Sequence, residues 1–253
     1  MSSGEHFLEQ YRKRLSAVSG EEFVDAHENF VRDLAWRQDD PTDGLGSDEH
    51  AAFAAFFTQC QRRYLAAKEQ QESEAMLAGA KVAADSASAS LHKGFGRDAY
   101  RRVGDLIDMV PTCRTVVMVG CGAFPATLFW LRDHFPSVRY TGLDTNARCV
   151  ATAAKLAEAM GLEMEFRVID GSDYNFAGAD FVYVANHVTP KKAVLEQVAR
   201  SSSATRVVVR EPTRKGELLA EAVRFDLPEN FAVERAGVES PIFLSYDLLL
   251  RRV

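Results

Sequence analysis

Between residues 115 and 210, short apolar runs alternate with helix-like segments, and this alternation limits the chain to few architectures. Thr115-Val116-Val117-Met118-Val119 is followed by a helical pattern from about Pro125 to His134. A second run, Arg139 to Leu143, ends at Asp144 and leads into an Ala-rich helical stretch, 146–160. Further strands are expected at 163–169, 180–185 and 205–210, with a helix at 190–200 started by Thr189 as N-cap and Pro190 in the first turn. Strands that are apolar almost throughout must be covered on both faces, and a helix between successive strands makes them run parallel. The tail changes pattern: Phe231–Val238 and Ile242–Arg251, joined by Glu239-Ser240-Pro241, suit an antiparallel hairpin at the sheet edge.

The first ninety residues read differently. Phe23, Phe30, Val31 and Leu34 recur at helical spacing, as do Phe53, Phe56, Phe57, Cys60, Tyr64 and Ala67. These stripes predict a helix–helix core. Ser2-x-x-Glu5 and Ser19-x-x-Glu22 fit capping boxes, and residues 39–44 (DDPTDG) fit a turn between helices. Glu69, Glu72 and Glu74 share a helix and read as a solvated face. The Ala/Ser tract 83–90 is a helix end or a linker. The expected division is a helical domain over 1–92 and an α/β domain over 93–253.

Composition narrows the function. With 30 basic and 36 acidic side chains the net charge is −6, which gives nucleic acid no electrostatic attraction. Cys60, Cys113, Cys121 and Cys149 are widely spaced and form no CxxC pair, so free thiols in a reducing compartment are expected and no metal site. No apolar run reaches membrane-spanning length, and the N-terminus has no secretory apolar stretch. The expectation is a cytoplasmic protein acting on a small molecule, without nucleic-acid or membrane partners.

The chemistry concentrates where the first strand ends. Gly120-Cys121-Gly122 lies between a strand and a helix, where glycine lets backbone approach a ligand and a helix N-terminus favours polar groups. Asp144 ends the next strand, and a carboxylate there can accept both ribose hydroxyls. Pro125 stands where a dinucleotide loop wants its third glycine, which disfavours a nicotinamide enzyme.

On these residues the chain resembles the class I S-adenosylmethionine (SAM)-dependent methyltransferase fold over about residues 95–253. The resemblance implies a Rossmann-like sheet, parallel with a C-terminal antiparallel hairpin, preceded here by an α-helical domain. It implies SAM as substrate or group donor. It implies Asp144 and its neighbour Thr145 on the ribose, and Asp170-Gly171-Ser172 near the adenine. Asp170 also has a purely local reading, as a turn residue.

A narrower likeness follows. Gly120-Cys121-Gly122-Ala123-Phe124-Pro125-Ala126-Thr127 is similar to the G-x-G-x-L-P-x-T turn of nicotianamine synthases, and the segment from Phe95 to Tyr100 resembles the aromatic stretch they carry before the first strand. Those enzymes move the 3-amino-3-carboxypropyl group of SAM and release methylthioadenosine. Azetidine-2-carboxylate synthases, similar proteins of this size, displace the same leaving group with SAM's own amine. The likeness implies Tyr100 at the methionyl tail and Glu74 near the reacting amine. Asn186 and His187 follow the fourth strand, at the edge where open sheets bind ligands, and His187 could serve as a base. Arg210 could meet a ligand carboxylate or pair with Glu211. Tyr174 could cover the pocket. Three activities stand: Cγ–S cleavage of SAM by cyclisation or aminocarboxypropyl transfer, an ordinary small-molecule methyltransferase, and a SAM-fold partner subunit without catalysis. The helical domain could be a lid, a homodimer surface, or both.

Overall fold

The computed structural model describes residues 2–80, 112–202, 206–237, 239 and 244–253. The tract 83–90, the segment from Phe95 to Tyr100 and the expected boundary at 92/93 lie outside them. Among the described residues no helix is long and apolar enough to cross a membrane.

Three helices come first: α1 (Ser3–Ala17), α2 (Gly20–Trp36) and α3 (Ser47–Ala80). Their core is the expected aromatic stripe. Phe23, Phe30, Leu34, Phe53 and Phe57 are buried with Leu8 and Leu15, and the Phe30 and Phe57 rings stack at 4.2 Å. Truncating one such phenylalanine would cost about 3–5 kcal/mol. Ala67, expected in the stripe, is exposed. The Ser2 capping box forms, with Glu5 N–H donating to Ser2 Oγ at 3.1 Å. The Ser19 box does not: Ser19 is the N-cap of α2, but its side chain makes no cap bond.

The α/β part consists of β1 (Thr115–Val119), α4 (Ala126–His134), β2 (Arg139–Asp144), α5 (Ala147–Ala159), β3 (Glu165–Val168), β4 (Phe181–Val184), α6 (Lys191–Ser201), β5 (Arg206–Pro212), β6 (Phe231–Ala236) and β7 (Ser245–Arg252). The sheet order is β3-β2-β1-β4-β5-β7-β6, with β1 to β5 parallel and β7 antiparallel to both β5 and β6. The period of two along each strand sorts its side chains between the two faces. Val117, Val119, Val182, Val184, Val207 and Val209 pack with Val194, Leu195 and Val198 of α6. Val116, Met118, Phe181, Tyr183 and Val208 pack with Leu128 and Leu131 of α4 on the other side.

The start of α6 differs from expectation. Pro190, after a cis Thr189–Pro190 bond, occupies the N-cap position. The Thr189 hydroxyl donates to Glu221 instead of capping the helix.

Strand order reverses between β1 and β4. In open α/β sheets the crevice outside the carboxyl ends of the strands at such a point is where ligands bind. The helix α3 crosses this edge. Thr58 Oγ1 donates to the Leu218 carbonyl at 3.4 Å, in a single 3-10 turn (Lys215–Leu218) after β5. Gln61 meets His187 beyond β4. Glu69 and Ser73 meet Ala123 beyond β1. Leu77 packs with Phe124, Phe129 and Leu156.

Candidate functional site

The glycine turn is built by exclusion. Gly120 has φ +76°, and a Cβ there would stand 2.6 Å from Val188 Cγ2 and 3.3 Å from Ala185 Cβ. Only a glycine lets the segment after β4 press against the end of β1. Gly122 has φ +66°, and its Cβ would stand 2.5 Å from Glu69 Oε2. The Gly120 and Cys121 N–H groups donate to the Leu143 carbonyl at 2.8 and 3.0 Å, tying the turn to β2.

Two carboxylates meet on this turn. Asp144 Oδ2 accepts from Gly122 N–H at 2.9 Å, and its Oδ1 accepts from Asn146 N–H at 2.9 Å. Glu69 Oε2 accepts from Ala123 N–H at 2.8 Å. One helical turn on, buried Ser73 donates to the Ala123 carbonyl at 3.2 Å. So residues i and i+4 of α3 grip both polar groups of one peptide residue. Burial pushes the Glu69 carboxyl up to about 7, the Ala123 N–H pulls it back, and the Asp144 charge adds to the rise. A carboxyl poised there is half ionised at neutral pH and can accept a proton. Burial and the charges of Asp144 and Glu69 raise the Cys121 thiol, and the same causes bring Cys149 to about 11, so neither is a ready nucleophile.

The other expected residues converge on the same edge. Ile169 N–H donates to the Asp144 carbonyl at 3.0 Å, so β3 delivers Asp170-Gly171-Ser172 beside β2. Asp170 Oδ1 accepts from Ser172 N–H and Oγ, both at 2.8 Å, which realises the turn reading. A Cβ on Gly171 would stand 2.6 Å from Val119 Cγ1, so this loop also packs on the end of β1. Pro125 is the N-cap of α4, and Thr145 is exposed beside Asp144. Asn186 Oδ1 is buried and has no hydrogen-bond partner among the described residues.

His187 is not a free base. Its Nε2 lies 3.5 Å from Gln61 Nε2 and its ring lies against the Leu219 backbone. Burial, then Lys191, Arg62 and Arg210, lower it to about 3, so the ring is neutral at physiological pH.

Arg210 does not stand open toward a ligand, nor does it pair with Glu211. Its Nε and Nη2 donate to Asp247 at 3.0 and 3.2 Å, across the antiparallel β5–β7 pair where the two residues are register partners. Glu211 faces away and is fully buried. It accepts from Val223 N–H at 2.9 Å and from Arg224 N–H at 3.0 Å, with Lys191 Nζ at 3.9 Å. That hub pins residues 219–224, which carry the Leu219 carbonyl, to the sheet.

Glu74 is exposed and accepts a hydrogen bond from Gln70. The glutamate brought to the glycine turn is Glu69, which the sequence places on a solvated face. Nothing in residues 68–74 singles it out, because Ser73 four positions on becomes telling only once α3 is seen to meet Ala123. Tyr100 lies outside the described residues. Tyr174 packs on Phe176 with ring centroids 5.0 Å apart. It also lines a cleft of about 550 Å³ with Arg139, Glu163 and Gly178. That cleft opens at the amino ends of β1 and β2, the wrong edge for a ligand site of this sheet.

This architecture is that of the class I SAM-dependent methyltransferases, extended by a helical region at the N-terminus. Residues 116–203 match the methyltransferase domain family. No curated protein matches the sequence. Among solved structures, the nicotianamine synthase MtNAS in complex with MTA and tNA aligns with TM-score 0.82 at 15% identity, covering 100% of this chain and 99% of that one. A Glu-to-Gln variant of MtNAS in complex with S-adenosylmethionine aligns with TM-score 0.80 at 15% identity over the same shares. The likeness is one of fold, and it includes the N-terminal helices.

Proposed function

We propose that this protein binds SAM and cleaves its Cγ–S bond, releasing methylthioadenosine, either by cyclising the remainder to azetidine-2-carboxylate or by transferring the 3-amino-3-carboxypropyl group to an amine. The observation that carries the reading is Glu69. A helix of the N-terminal region brings a carboxyl with a pKa near 7 to the glycine turn, next to the carboxylate that suits a ribose.

The chemistry needs that group. An amine attacks Cγ, the N–Cγ bond forms as Cγ–S breaks, and the sulfur keeps the electron pair and leaves neutral. The amine must be uncharged when it attacks, so one proton has to go to a nearby base. Glu69 is suited to take it. Methyl transfer would need an acceptor aimed at the methyl carbon instead, and proximity in line with the breaking bond decides between the carbons. The nucleoside would lie with its ribose on Asp144 and its adenine by Asp170-Gly171-Ser172. The region 1–92 would roof a SAM-binding unit over 93–253, with Tyr100 at the methionyl tail. Crystal complexes of MtNAS with S-adenosylmethionine and with MTA support this reading.

The test is incubation with SAM alone, followed by mass spectrometry against a no-enzyme control. Methylthioadenosine with a four-membered-ring amino acid is the expected result. Methylthioadenosine with homoserine or its lactone would point to transfer to an absent amine. The family match over 116–203 favours a second reading, methyl transfer. S-adenosylhomocysteine formed only when an acceptor is added would establish that reading and overturn the first.

A further inference from the structure

Glu69 and Asp144 meet the glycine turn beyond β1. The neighbouring wall, beyond β4, carries polar groups of another kind. Gln61 is only 8% exposed, and its Oε1 is buried without a hydrogen-bond partner among the described residues. Asn186 Oδ1 is in the same condition, and His187, its neighbour in the chain, touches the Gln61 amide. A buried carbonyl left unpaired costs about 1–3 kcal/mol. Both belong to residues at the single Gln61–His187 contact beyond β4, and each lacks, among the described residues, the donor that a ligand N–H would supply.

His187 determines which end of the Gln61 amide faces the site. The ring also bonds the Leu219 backbone, and the tautomer that donates there from Nδ1 leaves a lone pair on Nε2. A lone pair requires a donor, so Gln61 turns its NH₂ toward His187 and its carbonyl away. The cations that keep the ring neutral, Lys191, Arg62 and Arg210, also disfavour another positive charge beside it. The group that fits is an N–H donor without a charge.

We infer that Gln61 and Asn186 hold, through their carbonyl oxygens, the N–H groups of an uncharged substrate amine, leaving its lone pair free to attack. The inference rests on the Cγ–S reading and deepens it, because such an amine is the nucleophile of that reaction. The amine belongs either to SAM itself or to a second substrate.

Calorimetry with SAM and with the analogue carrying hydrogen in place of the α-amino group separates these sources. Wild type is expected to prefer SAM by about tenfold or more, and Gln61→Met to lose most of that preference while binding the deaminated analogue as before. This outcome assigns the pair to SAM's own amine. If Gln61→Met keeps the preference, the second source requires its KM for L-alanine, supplied as a minimal amine in turnover to methylthioadenosine, to rise about tenfold with kcat little changed. Asn186→Ala gives an independent reading if Gln61→Met melts early. Neither change, or equal weakening of SAM and its analogue in both variants, overturns the inference and leaves the function standing. A wild-type protein that does not bind SAM overturns both.

Discussion

The sheet and the helices that roof it are held by different chemistry. The sheet's interior is mostly aliphatic, valine above all, with some rings such as Phe181 and Tyr183, and its buried charges, Glu211 and Lys191, lie toward its carboxyl edge. The roof's interior is aromatic and encloses a titratable group: His27 is fully buried, stacks on Tyr64 at 4.6 Å, and neither ring nitrogen has a hydrogen-bond partner among the described residues. The roof's grip on the site also passes through Glu69, a carboxyl with a pKa near 7. The difference teaches that the roof adds two pH-sensitive groups, His27 in its packing and Glu69 at the glycine turn, to those the sheet, its frame, already carries at its carboxyl edge, His187 and Lys191.

The strongest way to sharpen that contrast is Glu69→Gln. The amide keeps an acceptor for the Ala123 N–H but cannot take a proton. Turnover should fall about 1,000-fold while SAM affinity changes little, as single-turnover kinetics and calorimetry would show. In wild type, turnover should rise with pH through about 7, the limb on which Glu69 loses its proton, and that limb should vanish in the variant. Retention of the limb would assign the base elsewhere.

His27 tests the roof itself. Burial lowers its pKa to about 4, below the unfolded value near 6.5. The unfolded chain therefore binds the extra proton first, so stability is intact above pH 6.5 and is lost as pH falls toward 4. The loss should reach roughly 3 kcal/mol by urea unfolding. His27→Leu should remove its share of this slope and leave the share that His187 contributes through its own lowered pKa, and a slope equal to that of wild type would show that His27 contributes none.

Asp144→Ala probes the frame. It removes the acceptor proposed for two ribose hydroxyls, and SAM affinity should drop about 100-fold by calorimetry, with the Glu69 limb moved to lower pH because the Asp144 charge helps to raise that carboxyl. Unchanged affinity would remove Asp144 from the ribose. The smallest effect is expected from Gly122→Ala, where strain and a crowded Glu69 should cost roughly 1–2 kcal/mol of stability in thermal unfolding.

The frame was legible because buried parallel strands must be apolar nearly throughout, so β1, β4 and β5 show themselves as runs such as Phe181–Val184. The hairpin was legible for another reason, two strand-like runs set on either side of the turn-forming residues 239–241. The roof was harder. Helical periodicity identifies the aromatic face of α3, but it cannot say which of several glutamates on the remaining faces meets another part of the chain. Glu69 and Glu74 look alike in sequence, and only the crossing of α3 over the sheet edge separates them. Arg210 was ambiguous because its partner, Asp247, lies in a strand that returns antiparallel far along the chain. Thr189 and Ser19 had the right side chains for caps, yet the Thr189 hydroxyl is engaged by Glu221 and the Ser19 side chain makes no cap bond.

The missing side chain at position 122 has a consequence for descent. Glu69 occupies the volume a Cβ would need, so the two residues are mutually conditional although more than fifty positions separate them. A side chain at 122 would press on the end of the Glu69 side chain and push its carboxylate off the turn, so the glycine is what lets a long acid at 69 reach Ala123. The pair should therefore be inherited as a unit, and its joint loss should mark relatives that have kept the frame but changed the reaction.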